Sequence, residues 1–401
     1  MSEGTRVVLA FSGGLDTTYC AVHLSATMDC ELHTVTVNTG GFSPAECTAI
    51  EMRALSLGAA VHRTIDATQE FYSRCIRHLV FGNVLRGGLY PLSVSAERVF
   101  QAEAIARYAK EINATHIVHG STGAGNDQVR FDTVFHILAP GVRILTPIRD
   151  NKLSRDEEIA YLREHGVEGN WERAPYSINQ GLWGTSVGGR ETLTSDTPLP
   201  EEAWPVPVSS SEPKSASLRF VRGELVDVNN AGCADSVAAI RLLESMAAPF
   251  GIGRDIHIGD TIIGMKGRVG FAAAAPLVII KAHHALEKHT LTKQQLLVKE
   301  QLAAVYGGMV HEAQFLDPAA RDIEALFERS QQFVTGTVYV TLAPYRFQVT
   351  GVDSPHDLMS PRFGAYGEEN RAWSGDDVRG FSRIYANQTM MHHVVNNGAG
   401  E

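Results

Sequence analysis

No Cys-x-x-Cys pair occurs anywhere in the 401 residues, so neither a structural zinc site nor a dithiol redox pair is expected. The five cysteines, Cys20, Cys30, Cys47, Cys75 and Cys233, are odd in number and irregular in spacing. Reduced thiols in a cytoplasmic protein are the natural reading. Positive charge is scarce. Lys and Arg number 35 against 45 Asp and Glu, a net charge of -10, which argues against a uniformly basic surface for nucleic acid. Long apolar runs are missing as well: Phe271 to Ile280 is too short to span a membrane and Lys281 ends it. Met1 to Arg6 carries no apolar stretch, so no secretory leader is expected. The adjacent pairs His283-His284 and His392-His393 cannot both face one metal from a helix and read as packing or surface residues. No metal site built by the protein alone is expected.

What is present is a globular composition, 44% hydrophobic and 20% charged, on a chain long enough for two domains. The first half alternates apolar strands with helical stretches. Arg6 to Phe11, Leu32 to Asn38, Ala60 to Asp66, Thr115 to His119 and Ile144 to Ile148 read as strands. Asp16 to Ser25, Thr48 to Leu57 and Val94 to Lys110 read as helices. Such alternation implies βαβ units and a mainly parallel sheet. The pattern changes near Pro175. Thr192 to Ser217 is rich in Pro, Ser, Thr and Glu and reads as a surface excursion. Beyond it, Leu218 to Val228 and Gly336 to Val352 read as hairpins, and Thr261 to Met265 and Leu277 to Lys281 as strands. Ser236 to Ala248, Thr292 to Val305 and Pro318 to Gln331 read as helices, and Asp376 to His392 as a helical tail. Met390-Met391 would suit packing against a partner helix. Trp171, Trp183 and Trp204 read as core anchors, and Arg149 and Lys152, beside Asp150, as solvated loop charges.

The most informative segment is Ala10-Phe11-Ser12-Gly13-Gly14-Leu15-Asp16-Thr17-Thr18. It joins a buried strand to a helix. Gly13 and Gly14 let backbone approach an anion closely, Ser12, Thr17 and Thr18 add hydroxyl donors, and the helix N-terminus favours negative charge. Asp16 beside a phosphate would repel it unless Mg²⁺ lies between or a backbone amide holds the carboxylate. There is no Gly-Lys-[Ser/Thr] and no Gly-x-Gly-x-x-Gly here, so it is neither a Walker A loop nor a dinucleotide fingerprint. It resembles the loop of ATPases that cleave between the α- and β-phosphates. Amide, ureido, carboxyl or nucleobase oxygens could all be the acceptor.

A second glycine loop, His119 to Phe131, follows another apolar strand. Its Asn126, Asp127 and Arg130 offer donor, acceptor and guanidinium fork at a helix start, a set suited to a zwitterionic amino acid.

With Tyr90 to Ser95, Tyr176 to Ile178, Leu182 to Ser186, Gly251 to Arg254 and Gly264 to Arg268 in order, most of the chain resembles the argininosuccinate synthase family. The resemblance implies an α/β fold. A parallel-sheet nucleotide-binding domain of the adenine nucleotide alpha-hydrolase (HUP) type would span 1–170, an α+β synthetase and multimerisation domain 171–365, and an oligomerisation helix and tail 366–401. It implies ligation of citrulline and aspartate with ATP going to AMP and pyrophosphate, Mg²⁺ assistance, a cytoplasmic homotetramer, and no nucleic-acid or membrane partner. ATP would be held by Ala10 to Thr18, Val37 and Gly120. Aspartate would lie against Thr122, Asn126 and Asp127, and citrulline against Tyr90, Ser95, Asn126, Arg130, Ser177 and Ser186. Ser12, Asp16, Asp127 and Arg130 are the candidates nearest the chemistry.

The departures fall on the citrulline part. Gly259 stands where the family has Glu, with Asp260 as a candidate replacement, and Phe271 stands where it has Tyr. Asn179-Gln180-Gly181 replaces Asp-Glu-Asn and loses two negative charges, Ala124 replaces a frequent Lys, and Phe271 to Pro276 is blander than Tyr-Glu-Thr-Pro. A relative joining aspartate to another ureido, amide or acid acceptor is therefore a competing reading. A tRNA-modifying enzyme would want basic charge and a cysteine pair. A nucleotide sensor would have no use for the second loop.

Overall fold

The computed structural model describes residues 4–123, 125–169, 171, 176–359 and 371–398. Ala124 and both expected domain borders, at 170 and 365, lie outside them. The chain divides into two compact units, Met1–Pro355 and His356–Glu401.

Five parallel strands form the first sheet: β1 (Arg6–Ala10), β2 (Glu31–Asn38), β3 (Val61–Asp66), β4 (His116–Val118) and β5 (Arg143–Leu145), in the order β3-β2-β1-β4-β5. Val7, Val8 and Leu9 are wholly buried because helices cover both faces. The helices are α1 (Leu15–Thr27), α2 (Pro44–Ser56), α3 (Ser93–Glu111), α4 (Asp127–Leu138) and α5 (Arg155–Glu164). α2 begins four residues before the expected Thr48, because Ser43 and Glu46 form a capping box and Pro44 takes the first turn. Three helical segments were not foreseen. The short helix Pro147–Asn151 takes the end of the strand expected at Ile144 to Ile148, since Pro147 suits a first helical turn. Thr68 to Phe81 is helical with a π turn at Tyr72–Ile76. α5 follows a capping box of Ser154 and Glu157.

The strand order reverses between the parallel neighbours β1 and β4: the chain crosses from β1 toward β2 and from β4 toward β5, to opposite sides of the pair. A crevice at their carboxyl ends is the place where open α/β sheets hold ligands. Both glycine loops start there.

Four antiparallel strands make the second sheet: β6 (Ser177–Gly181), β7 (Gly184–Gly188), β10 (Arg254–Asp260) and β11 (Lys266–Ala272), ordered β10-β11-β7-β6. The third contains β8 (Lys214–Val221), β9 (Glu224–Val228), β12 (Gly336–Ala343) and β13 (Arg346–Asp353), ordered β13-β12-β8-β9. Both expected hairpins are found in it, β8 opening inside the expected excursion. Around these sheets pack α6 (Ser236–Ala247), α7 (Ala274–Thr290), α8 (Lys293–His311) and α9 (Pro318–Ser330).

Two expected strands are corrected. Thr261 to Met265 is the turn joining β10 to β11, with Gly264 at φ +84° and Ile263 and Met265 exposed at its tip. Leu277 to Lys281 lies inside α7. An apolar run of that length fits a buried helix as well as a strand, and Pro276 sits harmlessly in the first turn.

Helix α3 is buried on nearly all sides: fifteen of its nineteen residues are enclosed. It packs on β1, β2 and β4 of the parallel sheet and on β6 and β7 of the antiparallel one. Trp183 fixes its start by donating from Nε1 to the Pro91 carbonyl at 2.9 Å.

In the second unit, α10 (Gly375–Tyr385) and α11 (Asn387–Asn397) break at Ala386 and bury no residue. No helix among the described residues is long and apolar enough to cross a membrane.

Candidate active site

The first loop continues β1. Phe11 donates its N–H to Val35 and accepts from Thr36 Oγ1 at 2.6 Å, which pins the strand end. Gly13 then takes φ +75°, a conformation that favours glycine, and Gly14 caps α1. Thr17 Oγ1 accepts from the Ser12 N–H at 3.3 Å, and Ser12 Oγ accepts from the Gly14 N–H at 3.4 Å. Thr18 Oγ1 is buried without a partner. Val37 is buried in the neighbouring strand's core face.

The second loop leaves β4 beside the first. A Cβ on Gly120 would lie 3.1 Å from the Asp16 backbone carbon and from Asp16 Cβ. The two loops therefore touch, and any side chain at 120 would have to push Asp16 aside by a few tenths of an ångström. Asp16 itself meets neither expected alternative alone. It forms a carboxyl pair with Glu158 of α5. Burial and the Asp16 charge push Glu158 up to about 8, so Glu158 holds a proton at neutral pH, and Glu158 Oε2 is buried without a partner. Sequence reasoning missed Glu158; nothing in its spacing marks it.

Asp127 opens α4 between two guanidinium groups: Arg98 Nε at 2.8 Å and Arg130 Nη1 at 2.9 Å. Burial works against its charge, but Arg98 and Arg130 prevail and hold Asp127 down to about 2. Arg130 also donates from Nε to the His311 carbonyl at 3.0 Å. Its Nη2 lies 3.3 Å from His311 Nδ1, as does Ser95 Oγ. Arginine can only donate, so Nδ1 accepts and the imidazole carries its proton on Nε2. Burial, with Arg130 and Arg86, lowers His311 to about 3, which keeps this neutral tautomer. Arg130 is thus a buried scaffold as well as a candidate clamp, with N–H groups left on both terminal nitrogens.

Arg98, another residue the sequence reading passed over, reaches further. It donates to Glu97 Oε1 at 3.2 Å and to Asn179 Oδ1 at 2.8 Å. Glu97 accepts from Thr39 Oγ1 at 2.8 Å. A Cβ on Gly181 would lie 2.1 Å from Glu97 Oε2. Glu97 therefore sits beside Asn179-Gln180-Gly181, in space that Gly181 leaves open. Burial raises Glu97 to about 7 against the pull of Arg98.

The acceptor residues cluster round Tyr90. Its hydroxyl accepts from Ser93 Oγ and the Val94 N–H at 3.3 Å, and its ring packs on Phe271 at 5.2 Å and on His257 at 5.1 Å. Ser186 stands opposite Phe271 across β7 and β11 and is buried, while Ser177 is exposed on β6. Asn126 Oδ1 accepts from the Ile262 N–H at 2.8 Å, tying the second loop to the β10–β11 turn. Thr122 is exposed. Asp260 faces a different partner: it pairs with Lys266 at 2.6 Å in an exposed position. Arg149 is not a solvated loop charge, since it pairs with Asp132 at 2.7 Å and Asp132 in turn holds His119. Trp183 is a fully buried anchor as expected, and Trp171 and Trp204 are partly buried. His283 is a buried packing residue, bonded to Asn83 and Gln331.

Two family models match the sequence. The arginosuccinate synthase N-terminal HUP domain covers residues 6–168, and the arginosuccinate synthase C-terminal domain covers 176–392. The chain is similar to the argininosuccinate synthase of Methanocaldococcus jannaschii, 35% identical over 390 residues, 96% of this chain and 98% of the relative. It is 34% identical over 402 residues to that of Xanthomonas campestris pv. campestris, covering 97% and 98%. It is 33% identical over 393 residues to that of Dictyoglomus turgidum, again covering 97% and 98%.

Proposed function

The chain belongs to the argininosuccinate synthase family, and from that premise we propose how its residues divide the reaction. It is an ATP-dependent carbon–nitrogen ligase that joins citrulline to aspartate, releasing AMP and pyrophosphate. Ala10 to Thr18, Val37 and Gly120 hold ATP. Thr122, Asn126 and Asp127 hold aspartate. Tyr90, Ser95, Asn126, Arg130, Ser177 and Ser186 hold the acceptor, with Asp260 at the rim. The observation that carries this reading is the contact between the two loops, Gly120 on the Asp16 backbone. It brings an anion-binding helix start and an amino-acid loop to one crevice.

The ureido oxygen attacks the α-phosphorus, the bond to the bridging oxygen breaks, and pyrophosphate departs. The aspartate amine then attacks the adenylated carbon, gives up a proton and expels AMP. No side chain becomes covalently attached, so the protein's part is positioning and charge stabilisation. The buried network from Asp127 through Arg130 to His311 and Ser95 keeps the groups round both amino acids in one arrangement. The Asp16–Glu158 pair, with its unpartnered buried oxygen, fits a hard cation that prefers one or two carboxylates plus substrate phosphates. Mg²⁺ held there would offset phosphate charge.

Labour divides between an ATP domain at 1–170, a synthetase domain at 171–365 and an assembly tail at 366–401. The apolar residues Val378, Phe381, Ile384 and Tyr385 of α10 are all exposed, which supports self-association through the tail; the assembly is a cytoplasmic homotetramer on this proposal.

The test is pyrophosphate release with ATP and aspartate held constant. Citrulline should support it. Release with other ureido, amide or acid acceptors but never with citrulline would favour the competing reading.

A further inference from the structure

Strands β10 and β11 turn one face toward Tyr90, and three glycines leave much of that face bare. Gly259, Gly267 and Gly188 lie on it with Asp255, His257, Val269, Phe271 and Ser186. The His257 ring occupies the room above Gly259, where a Cβ would meet its Nε2 at 2.6 Å. The imidazole is stacked on Tyr90 with planes 18° apart. It is half-buried, and neither ring nitrogen has a hydrogen-bond partner among the described residues.

The charge around this imidazole is positive. Burial first, and then the Arg86 guanidinium, lower His257, leaving a neutral ring with one N–H to donate. Arg86 pairs at 3.6 Å with the exposed Glu312 and lies in the field of Asp260. Arg130 and His311 stand behind Ser95. Both carboxylates of β10 are exposed and already have partners. Asp260 pairs with Lys266 and lies in the field of Arg86, and Asp255, on the same face as His257, accepts from the Ile256 N–H at 2.7 Å.

This pocket offers a guanidinium and a free N–H donor, and its carboxylates, Asp255 on the face and Asp260 at the rim, are exposed and already paired rather than held for an ammonium group. We propose that it recognises the acceptor by its carboxylate end, through Arg86 and His257, and leaves the α-ammonium group of citrulline unread. The substrate class is then the ω-ureido carboxylic acids, citrulline being one member. The inference rests on the ligase reading above. It changes nothing at the reacting atoms, because the ureido oxygen is the same with or without the α-amino group.

The experiment compares kcat/KM for pyrophosphate release with citrulline, with 5-ureidopentanoate (the same chain without the amino group) and with butylurea, which has no carboxylate. A site built to bond a group rejects the analogue lacking it by about 10⁴-fold or more. The expected result is 5-ureidopentanoate within about tenfold of citrulline and butylurea lower by about a hundredfold or more. Arg86→Gln and His257→Leu should raise KM for both acids by a similar factor and leave KM for ATP in place. The double variant His257→Ala with Gly259→Glu supplies a carboxylate in the vacated space and should shift preference toward citrulline. A preference for citrulline over 5-ureidopentanoate of about a hundredfold or more in the natural protein, above all one abolished by Asp255→Asn, overturns the proposal and leaves the ligase reading intact. Pyrophosphate release with none of the three compounds sinks the ligase reading and this inference with it.

Discussion

Single residues in this protein are legible from the sequence when their role is local. Gly13 and Gly120 are examples: each is demanded by backbone geometry or close approach within its own loop. A methyl group on Gly120 would press against the Asp16 backbone. Gly120→Ala should cost about 1–3 kcal/mol of local strain, and KM for ATP, read in initial-rate assays, should rise by about tenfold. Residues whose role comes from distant partners were not legible. Arg98, Glu97, Glu158 and His311 acquire meaning only when three separate elements meet, and no spacing in the chain predicts that meeting. Glu97 makes a pH prediction. Its folded pKa, about 7, lies above the ordinary carboxyl value of 4.5. Its stabilising contribution is therefore full below 4.5 and is lost as pH rises through about 7. Urea midpoints measured from pH 5 to 8 should fall more steeply for the natural protein than for Glu97→Gln; parallel curves would show that Glu97 does not titrate in this window.

At the scale of elements, the parallel strands were readable because burial on both faces makes them continuously apolar, as in Val7-Val8-Leu9. The same property misled the reading of Leu277 to Lys281, since a fully buried helix is equally apolar throughout. The exposed Ile263 and Met265 misled in the other direction, their apolar character belonging to a hairpin tip. One element-level fit can be tested directly. β6 approaches α3 so closely that Gly181 and Glu97 share one space. Gly181→Ala should destabilise the protein by about 1–3 kcal/mol. In a Glu97→Ala background the same change should cost less, giving a coupling of about 1 kcal/mol or more in a double-mutant cycle of urea denaturation. Strict additivity would place the two groups in separate spaces.

For the molecule as a whole, the fold class followed from the alternation of strands and helices, and the two glycine loops followed from their motifs. The joining of the parallel and antiparallel sheets through α3 did not, because a helix buried on every side shows no amphipathic stripe to say what it touches. The tail is the opposite case, its exposed Phe381 and Tyr385 stacked on each other at 5.3 Å and nothing buried. If the tail assembles the proposed tetramer, deleting the residues after Gly375 should lower the number of subunits per particle, measured by light scattering. An unchanged number would remove the tail from assembly.

Helix α3 belongs by sequence to the first half of the chain and by burial to both. Recombination between relatives at the stretch separating the two matched regions, 6–168 and 176–392, would separate Glu97 from Gly181 and hand the carboxylate to a strand shaped for another neighbour. A hybrid gene that keeps Glu97 but inherits a larger residue at position 181 should be less stable than either parent by about 1–3 kcal/mol. The two positions are thus one unit of inheritance for a working hybrid, although 83 residues lie between them.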